Sequence, residues 1–518
     1  MVLPPKVYTW LCGLFASLGS IIFGYDLGVI AGVLPAPDFI ATMGPRYHDP
    51  NLQGLIASIF GLTTSFFGMF PVAYFADKFG RRITIQIGAA VYILGGALQT
   101  GATNIDFMYA GRFFAGFGVG IMSDLAPLYQ AEIAHPSIRG RLTTLQQFML
   151  GIGAFIASWV TYGTSAGLKG TQAEWRIPLG LQIIPALPLI AFILLLPESP
   201  RWLADKGRID EARATLARLH AHGDINDPFV MSQMEDMKAE LQRARDIGDS
   251  SWKELFVIPS NFRRLSLGYI LQFSVQMTGV SAIQYYSTTM GFSSTRILLF
   301  QSINSIIALI GEACCVLWID HTGRRRPLII GNIASGLSFV VGSILMARWP
   351  GTVDKTWVFN FFFSACIGPL SWAYPAEIFS TRTRAKSTAI TSSSSWLSNF
   401  FIAQVTPKAF GAIGWKIFLM SRPDLVFAIC GHTNALFIWA FYPETTGRRL
   451  EEMDALFEQA PLFVPRTSYA KVIDHAAAER ELRDGNFVPG DLTEKVEKGS
   501  DIEDNKGFQS QIEITEKN

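Results

Sequence analysis

The chain has 518 residues, 49% hydrophobic and 13% aromatic, with 16% charged residues and a net charge of +1. So little charge over this length excludes an ordinary soluble protein and makes a membrane protein the first expectation. No basic block precedes residue 200, so there is no footprint for nucleic acid, and the five cysteines lie in apolar stretches without the spacing of a zinc site or a disulfide framework.

The first apolar run continues through Asp26 to Leu34, longer than the apolar core of a cleavable signal, and reads as a membrane span. A hydrocarbon core about 30 Å thick needs roughly 20 mainly apolar residues per helix. Twelve segments meet that demand: 8–33, 52–75, 83–102, 107–131, 144–164, 176–197, 264–290, 297–319, 328–348, 356–380, 387–410 and 424–443. The fold class expected is an all-α membrane protein with an N-terminal six-helix half (1–197), a cytoplasmic helical linker (198–263), a C-terminal six-helix half (264–443) and a mostly disordered cytoplasmic tail (444–518). The linker is too charged to span and contains the helix-forming runs DEARATLARLH and MSQMEDMKAELQRARD. DKFGRR, RGR, HTGRRR and STRTRAK all fall on the linker's side, which orients the linker and both termini to the cytoplasm.

The chain also repeats itself. ADKFGRR (Ala76–Arg82) recurs as IDHTGRR (Ile319–Arg325), AEIAHPSIRG at Ala131 as AEIFSTRTRA at Ala376, and PES at Pro197 as PET at Pro443, at offsets of 243, 245 and 246 residues. Near-equal offsets imply two similar halves in the same orientation, an arrangement that places a substrate site between them near the midplane.

From Phe23 to about Phe457 the sequence resembles the sugar porter branch of the major facilitator superfamily, most of all its fungal members. FGYDLGVIAG, ADKFGRR, GRFFAGFGVG, PLYQAEIAHPSIRGRL, PESPRWL, GVSAIQYYST, GPLSWAYPAEIF and PETTGRRLEEMDALF carry the likeness, in the family's order. The resemblance implies a major facilitator fold that moves a sugar or related polyhydroxylated solute across the plasma membrane, functioning as a monomer in the lipid bilayer, with no enzyme chemistry and no metal. It further implies that Asp77, Arg81, Arg82, Glu132, Arg139 and Glu198, and in the second half Asp320, Arg324, Arg325, Glu377, Arg384 and Glu444, form a cytoplasmic gate whose ion pairs break and re-form in each cycle. The plain alternative is that these are orientation charges; acids at matched positions in both halves favour the gate.

A neutral sugar offers hydroxyls and a C–H face, so its site needs amides for the first and aromatic rings for the second. Gln147, Gln276, Trp372, Trp396 and Asn399 stand where sugar porters place such residues, with Ser281 beside them, and Tyr285 and Tyr286 match the family's outer gate. Packing between helices is the competing role for Gln and Asn in a membrane. The sequence departs from a glucose-type pocket at Val275, Ser281 and Ala308, where amides are usual; Gln272, Gln284 and Asn304 lie nearby. Pentoses, other hexoses, uronic acids, quinate, polyols and disaccharides therefore stay open.

An ionised carboxylate at Asp26 costs roughly 3 kcal/mol at the bilayer centre on insertion scales, so it should be neutralised, paired or functional. Arg112 is the expected partner. In proton-coupled members an Asp and an Arg occupy these positions, so the resemblance implies a proton as the coupling ion and no other cofactor. A facilitative uniporter would use the same pocket without the proton, and a non-transporting receptor would signal through a tail longer than the stretch after Phe457. Glu312 is a second intramembrane acid with no sugar role assigned, and His432 and Asn434 read as packing residues.

Overall fold

The computed structural model describes residues 4–64, 66, 69–135, 138–247, 252–280, 294–348, 356–380, 383–413, 422–446, 453, 456–457 and 461–466. Ser281, Tyr285, Tyr286 and the tail beyond 467 lie outside them, as do the side chains of Arg139 and Asp320. Among the described residues there are helices and no strands.

Among the described residues, helical passages follow the order of the twelve expected segments. In the first half they are α1 (Pro5–Ala16) with α2 (Leu18–Val33), α4 (Pro50–Thr63) with α5 (Met69–Phe79), α6 (Arg81–Thr100), α7 (Ile105–Ile133), α8 (Arg139–Gly167), and α9 (Gln172–Leu181) with α10 (Ala186–Phe192); the short α3 (Pro37–Met43) lies in the first loop. The linker contributes α11 (Pro200–Asp205), α12 (Ile209–His220), α13 (Pro228–Ile247) and α14 (Glu254–Val257). The second half holds α15 (Pro259–Met277), α16 (Ser294–Thr322), α17 (Arg325–Arg348), α18 (Thr356–Phe362) with α19 (Gly368–Ile378), α20 (Arg384–Ile413) and α21 (Arg422–Phe441). The compact unit runs on through Thr467, and Met453, Phe457 and Val464, past the expected boundary at 444, are buried within it.

Only five described helices are each long and apolar enough to cross a membrane alone: Pro5–Val33, Arg81–Thr100, Thr144–Gly167, Gln172–Leu195 and Leu298–Ile319. Other passages are interrupted or carry buried polar side chains, as in the serine-rich α20 and the π-turn Phe363–Ile367 that joins α18 to α19. The first span, expected as one helix, breaks at Ser17. Ser17 Oγ bonds the Gly13 carbonyl at 2.7 Å, and Gln130 Nε2 donates to both that carbonyl (3.0 Å) and Ser17 Oγ (2.6 Å), so a side chain from α7 anchors the chain at the break.

Helices α2 and α8 meet backbone to backbone. A Cβ at Gly24 would lie 1.9 Å from the Leu150 carbonyl oxygen, and one at Gly153 would lie 2.2 Å from that of Ile21. Lipid supplies no hydrophobic drive between helices, so close approach through small residues holds such pairs together. Gly153→Ala is therefore expected to push α2 and α8 apart at a cost of about 1–3 kcal/mol, read as a lower melting temperature of the detergent-purified protein; an unchanged melt would mean the contact relaxes freely.

Candidate functional site

The two copies of the repeated motif fold alike. Gly80 and Gly323 both take positive φ, 89° and 80°, in the tight turns after α5 and α16. Each turn aims the following arginine at a glutamate on another helix. Arg81 Nε and Nη2 hold both oxygens of Glu132 at 2.9 Å, and Arg324 Nη2 and Nε hold those of Glu377 at 2.7 and 3.1 Å. The backbone N–H groups of Arg81 and Arg324 donate to Glu198 (3.1 Å) and Glu444 (2.9 Å), and Tyr129 and Tyr374 hydroxyls cap the carbonyls of Pro197 and Pro443. Arg82 completes the first set through Glu198 at 3.3 Å and the carbonyls of Leu194 and Leu196; Arg325 N–H donates to Glu444 at 3.1 Å. Asp77 stands apart, half exposed and 3.9 Å from Arg81.

All of these pairs lie within one half. Contacts between the halves at the charged-loop end come from other residues. Arg141 on α8 meets His321 on α16 at 3.3 Å, and Ser392 on α20 donates to Asp124 on α7 at 3.3 Å. Arg384 donates to the Phe379 carbonyl and lies within electrostatic reach of Glu132 across the seam. At the opposite end Ser302 donates to the Ser158 carbonyl, Ser158 meets Ser305 at 3.0 Å, and Ser58 meets Gln404 at 3.5 Å. Described contacts thus join the halves on both sides of the midplane.

Between those ends is a cavity lined by Gln147, Gln276, Trp372, Trp396 and Asn399 together with Phe23, Leu27, Leu150, Val275, Val280, Phe363, Gly368, Ser371 and Ser395. Every described residue expected to contact sugar lines it. Gln276 Nε2 reaches Ser395 Oγ at 3.3 Å, whereas the Trp396 indole N–H is buried without an acceptor, a donor ready for a hydroxyl. Gln272 turns away to the Ser371 carbonyl (2.9 Å), and the Asn304 amide oxygen is buried outside the lining, so neither takes the place of the missing amides. His432 and Asn434 bond the carbonyls of Ala428 and Ser274, in keeping with packing roles.

Asp26 and Arg112 are both fully buried and meet at 2.6 Å. The pairing is single: Asp26 Oδ1 and Arg112 Nη2 have no hydrogen-bond partner, while Arg112 Nε donates to the Ile56 carbonyl at 3.2 Å. Phe60 lies against the guanidinium, 4.4 Å from its ring centre, and packs edge-on to Trp396 at 5.7 Å. Phe23, one turn before Asp26, touches Trp396 at 5.0 Å and Trp372 at 6.3 Å. Phe60 therefore links the ion pair to the cavity-lining Trp396. Sequence reasoning missed Phe60 and Asp124. Phe60 carried no signal in an apolar run, whereas the acid within GIMSDLAPLYQ did.

The sequence profile of a family described as “Sugar (and other) transporter” matches residues 12–457. The chain is 31% identical over 493 residues to the “MFS glucose transporter mfs1” of Aspergillus flavus, covering 88% of this chain and 90% of that one. It is 31% identical over 482 residues to the “Low-affinity glucose transporter HXT3” of Saccharomyces cerevisiae, covering 87% and 82%. Its fold matches the solved structure of the “proton:xylose symporter XylE bound to 6-bromo-6-deoxy-D-glucose” with a TM-score of 0.79 at 25% identity, covering 88% of this chain and 100% of that one. A chain with this architecture, this central cavity and a family match over nearly its whole length belongs to the sugar transporter family of the major facilitator superfamily.

Proposed function

We propose that the chain imports a monosaccharide across the plasma membrane by alternating access, with one proton carried on Asp26, and works as a monomer with both termini in the cytoplasm. The singly bonded, fully buried Asp26–Arg112 pair carries this reading. Protonating Asp26 removes the charge that holds Arg112; the guanidinium then relies on the Ile56 carbonyl and the Phe60 ring, and Phe60 abuts the cavity residue Trp396. Sugar in the cavity and proton on Asp26 thereby act on one packed cluster. The named glucose transporters and the proton:xylose symporter among the similar proteins support a hexose or pentose as cargo. The gate role of the paired charges also belongs to this reading: parting the halves at the charged-loop end must break Asp124–Ser392 and Arg141–His321, while the ion pairs within each half keep the helix ends rigid.

The test is uptake by yeast lacking hexose and pentose transport, with a panel of radiolabelled sugars and the external pH recorded together. Uptake with matching alkalinisation supports the symporter; uptake without it makes the chain a facilitator; no uptake by protein at the surface moves the weight to another solute or a receptor. Within the cavity, Gln147→Ala and Gln276→Ala are each expected to raise KM about tenfold, because a buried sugar hydroxyl left without its partner costs roughly 1–3 kcal/mol. Unchanged KM in both would remove these amides from the site.

A further inference from the structure

The buried acids Asp26, Glu132, Glu198 and Glu377 each face a guanidinium; Asp124, bonded to Ser392, and Glu312 do not. Glu312 sits on α16, 3% exposed, where the two halves meet. Its Oε1 accepts one long bond from Gln147 Nε2 of α8 at 3.4 Å, and its Oε2 has no partner. Oε2 presses instead on the backbone of α8, where a Cβ at Gly151 would fall 1.7 Å from it. The titratable or charged groups on the packed elements are Cys315 on α16 itself, within electrostatic reach of Glu312, Cys366 in the π-turn before α19 and Arg324 after α16, both within reach of Cys315, and Arg141 toward the charged-loop end of α8, engaged with His321. No described ion pair includes Glu312.

A carboxylate in a dry seam with a single weak donor is costly, whereas the neutral acid is not. The closed seam between α8 and α16 therefore accommodates Glu312 in its protonated form. When the halves part at the charged-loop end, the seam opens from Arg141–His321 toward Gln147 and water reaches the carboxyl, which then ionises. We propose that Glu312 is a second proton-binding site, filled when the halves close over the cavity and emptied when they open, and tied to the cargo through the cavity-lining amide of Gln147. This rests on the alternating-access reading above and not on Asp26 carrying the coupled proton, because a proton bound and released on one side would serve a facilitator equally.

The ligand is the proton, so the experiment needs no sugar. Spin labels at Lys78→Cys and Thr322→Cys, exposed positions at the charged-loop ends of the two halves, are placed in a full-length chain whose five native cysteines are replaced, and the distance distribution is measured from pH 5.5 to 8.5. The open-to-closed ratio is expected to rise about tenfold per pH unit once the open-state carboxyl titrates. Glu312→Gln should flatten that component and stay closed at high pH, and Glu312→Asp, which keeps an acid there, should retain it. Asp26→Asn separates the two readings: a response surviving in it and lost in Glu312→Gln supports the second site even if Asp26 proves uncoupled. A wild-type distribution that ignores pH, or an unchanged response in Glu312→Gln, overturns the proposal.

Discussion

Asp26→Asn is expected to abolish accumulation of sugar against its gradient and to leave equilibration in place. One proton per sugar supports about tenfold accumulation for each unit of pH difference across the membrane; without the titratable group the ratio falls to one. Asparagine is nearly isosteric and still accepts a hydrogen bond, and Arg112 keeps the Ile56 carbonyl and the Phe60 ring, so the cluster has contacts to hold it together. The measurement is the steady-state internal-to-external ratio of a non-metabolised sugar in vesicles with an imposed pH gradient, beside counterflow exchange in the same vesicles. Accumulation that survives in the variant would move the coupled proton elsewhere, and wild-type protein that only equilibrates would be a facilitator.

The second large effect is structural. Arg324 and Glu377 are 5% and 4% exposed at their side chains and share two-pronged contacts, with Thr445 Oγ1 donating to Glu377 at 2.8 Å. Arg324→Ala leaves Glu377 as an uncompensated buried charge and is expected to cost about 3–5 kcal/mol, whereas Arg324→Met with Glu377→Gln, which removes both charges, should recover most of it. Arg81 and Glu132 form the matching pair and should behave alike. Asp77→Asn, at an exposed carboxylate 3.9 Å from Arg81, should change stability by less than about 1 kcal/mol. Melting temperatures in detergent for the singles and the doubles check all three. If the double melts as low as the single, the loss comes from packing around the arginine and not from the stranded charge.

The paired charges show how far sequence reached. Arg81 with Glu132 and Arg324 with Glu377 could be matched because a glycine turn, an arginine pair and a glutamate recur at near-equal offsets, and each bond is made by residues the motif itself holds in register. That the pairs stay inside one half was not legible, because a motif fixes what a helix end presents and not which neighbour it meets. The same limit applies to Gln272. As an amide in an apolar helix it had the credentials of a sugar ligand, yet it is spent on the Ser371 carbonyl while Gln276, one turn on along the same face, reaches the cavity.

By itself the sequence determined the twelve apolar segments, the duplication, the buried Asp26 and the grouping of the charged loops at one end. Each follows from composition or periodicity along one stretch of chain, where the cost of placing a polar group in lipid is decided locally. Only the tertiary structure decided that Phe60 would stand between Arg112 and Trp396, that Asp124 would meet Ser392, and that Glu312 would lie behind Gln147. Those contacts join residues 268 and 165 positions apart, or helices of different halves, and they depend on how close glycines let neighbours come, as where Gly24 and Gly153 meet a facing backbone and Gly151 admits the Glu312 carboxyl. Closeness of that kind is a property of the packed pair, and neither helix carries it alone.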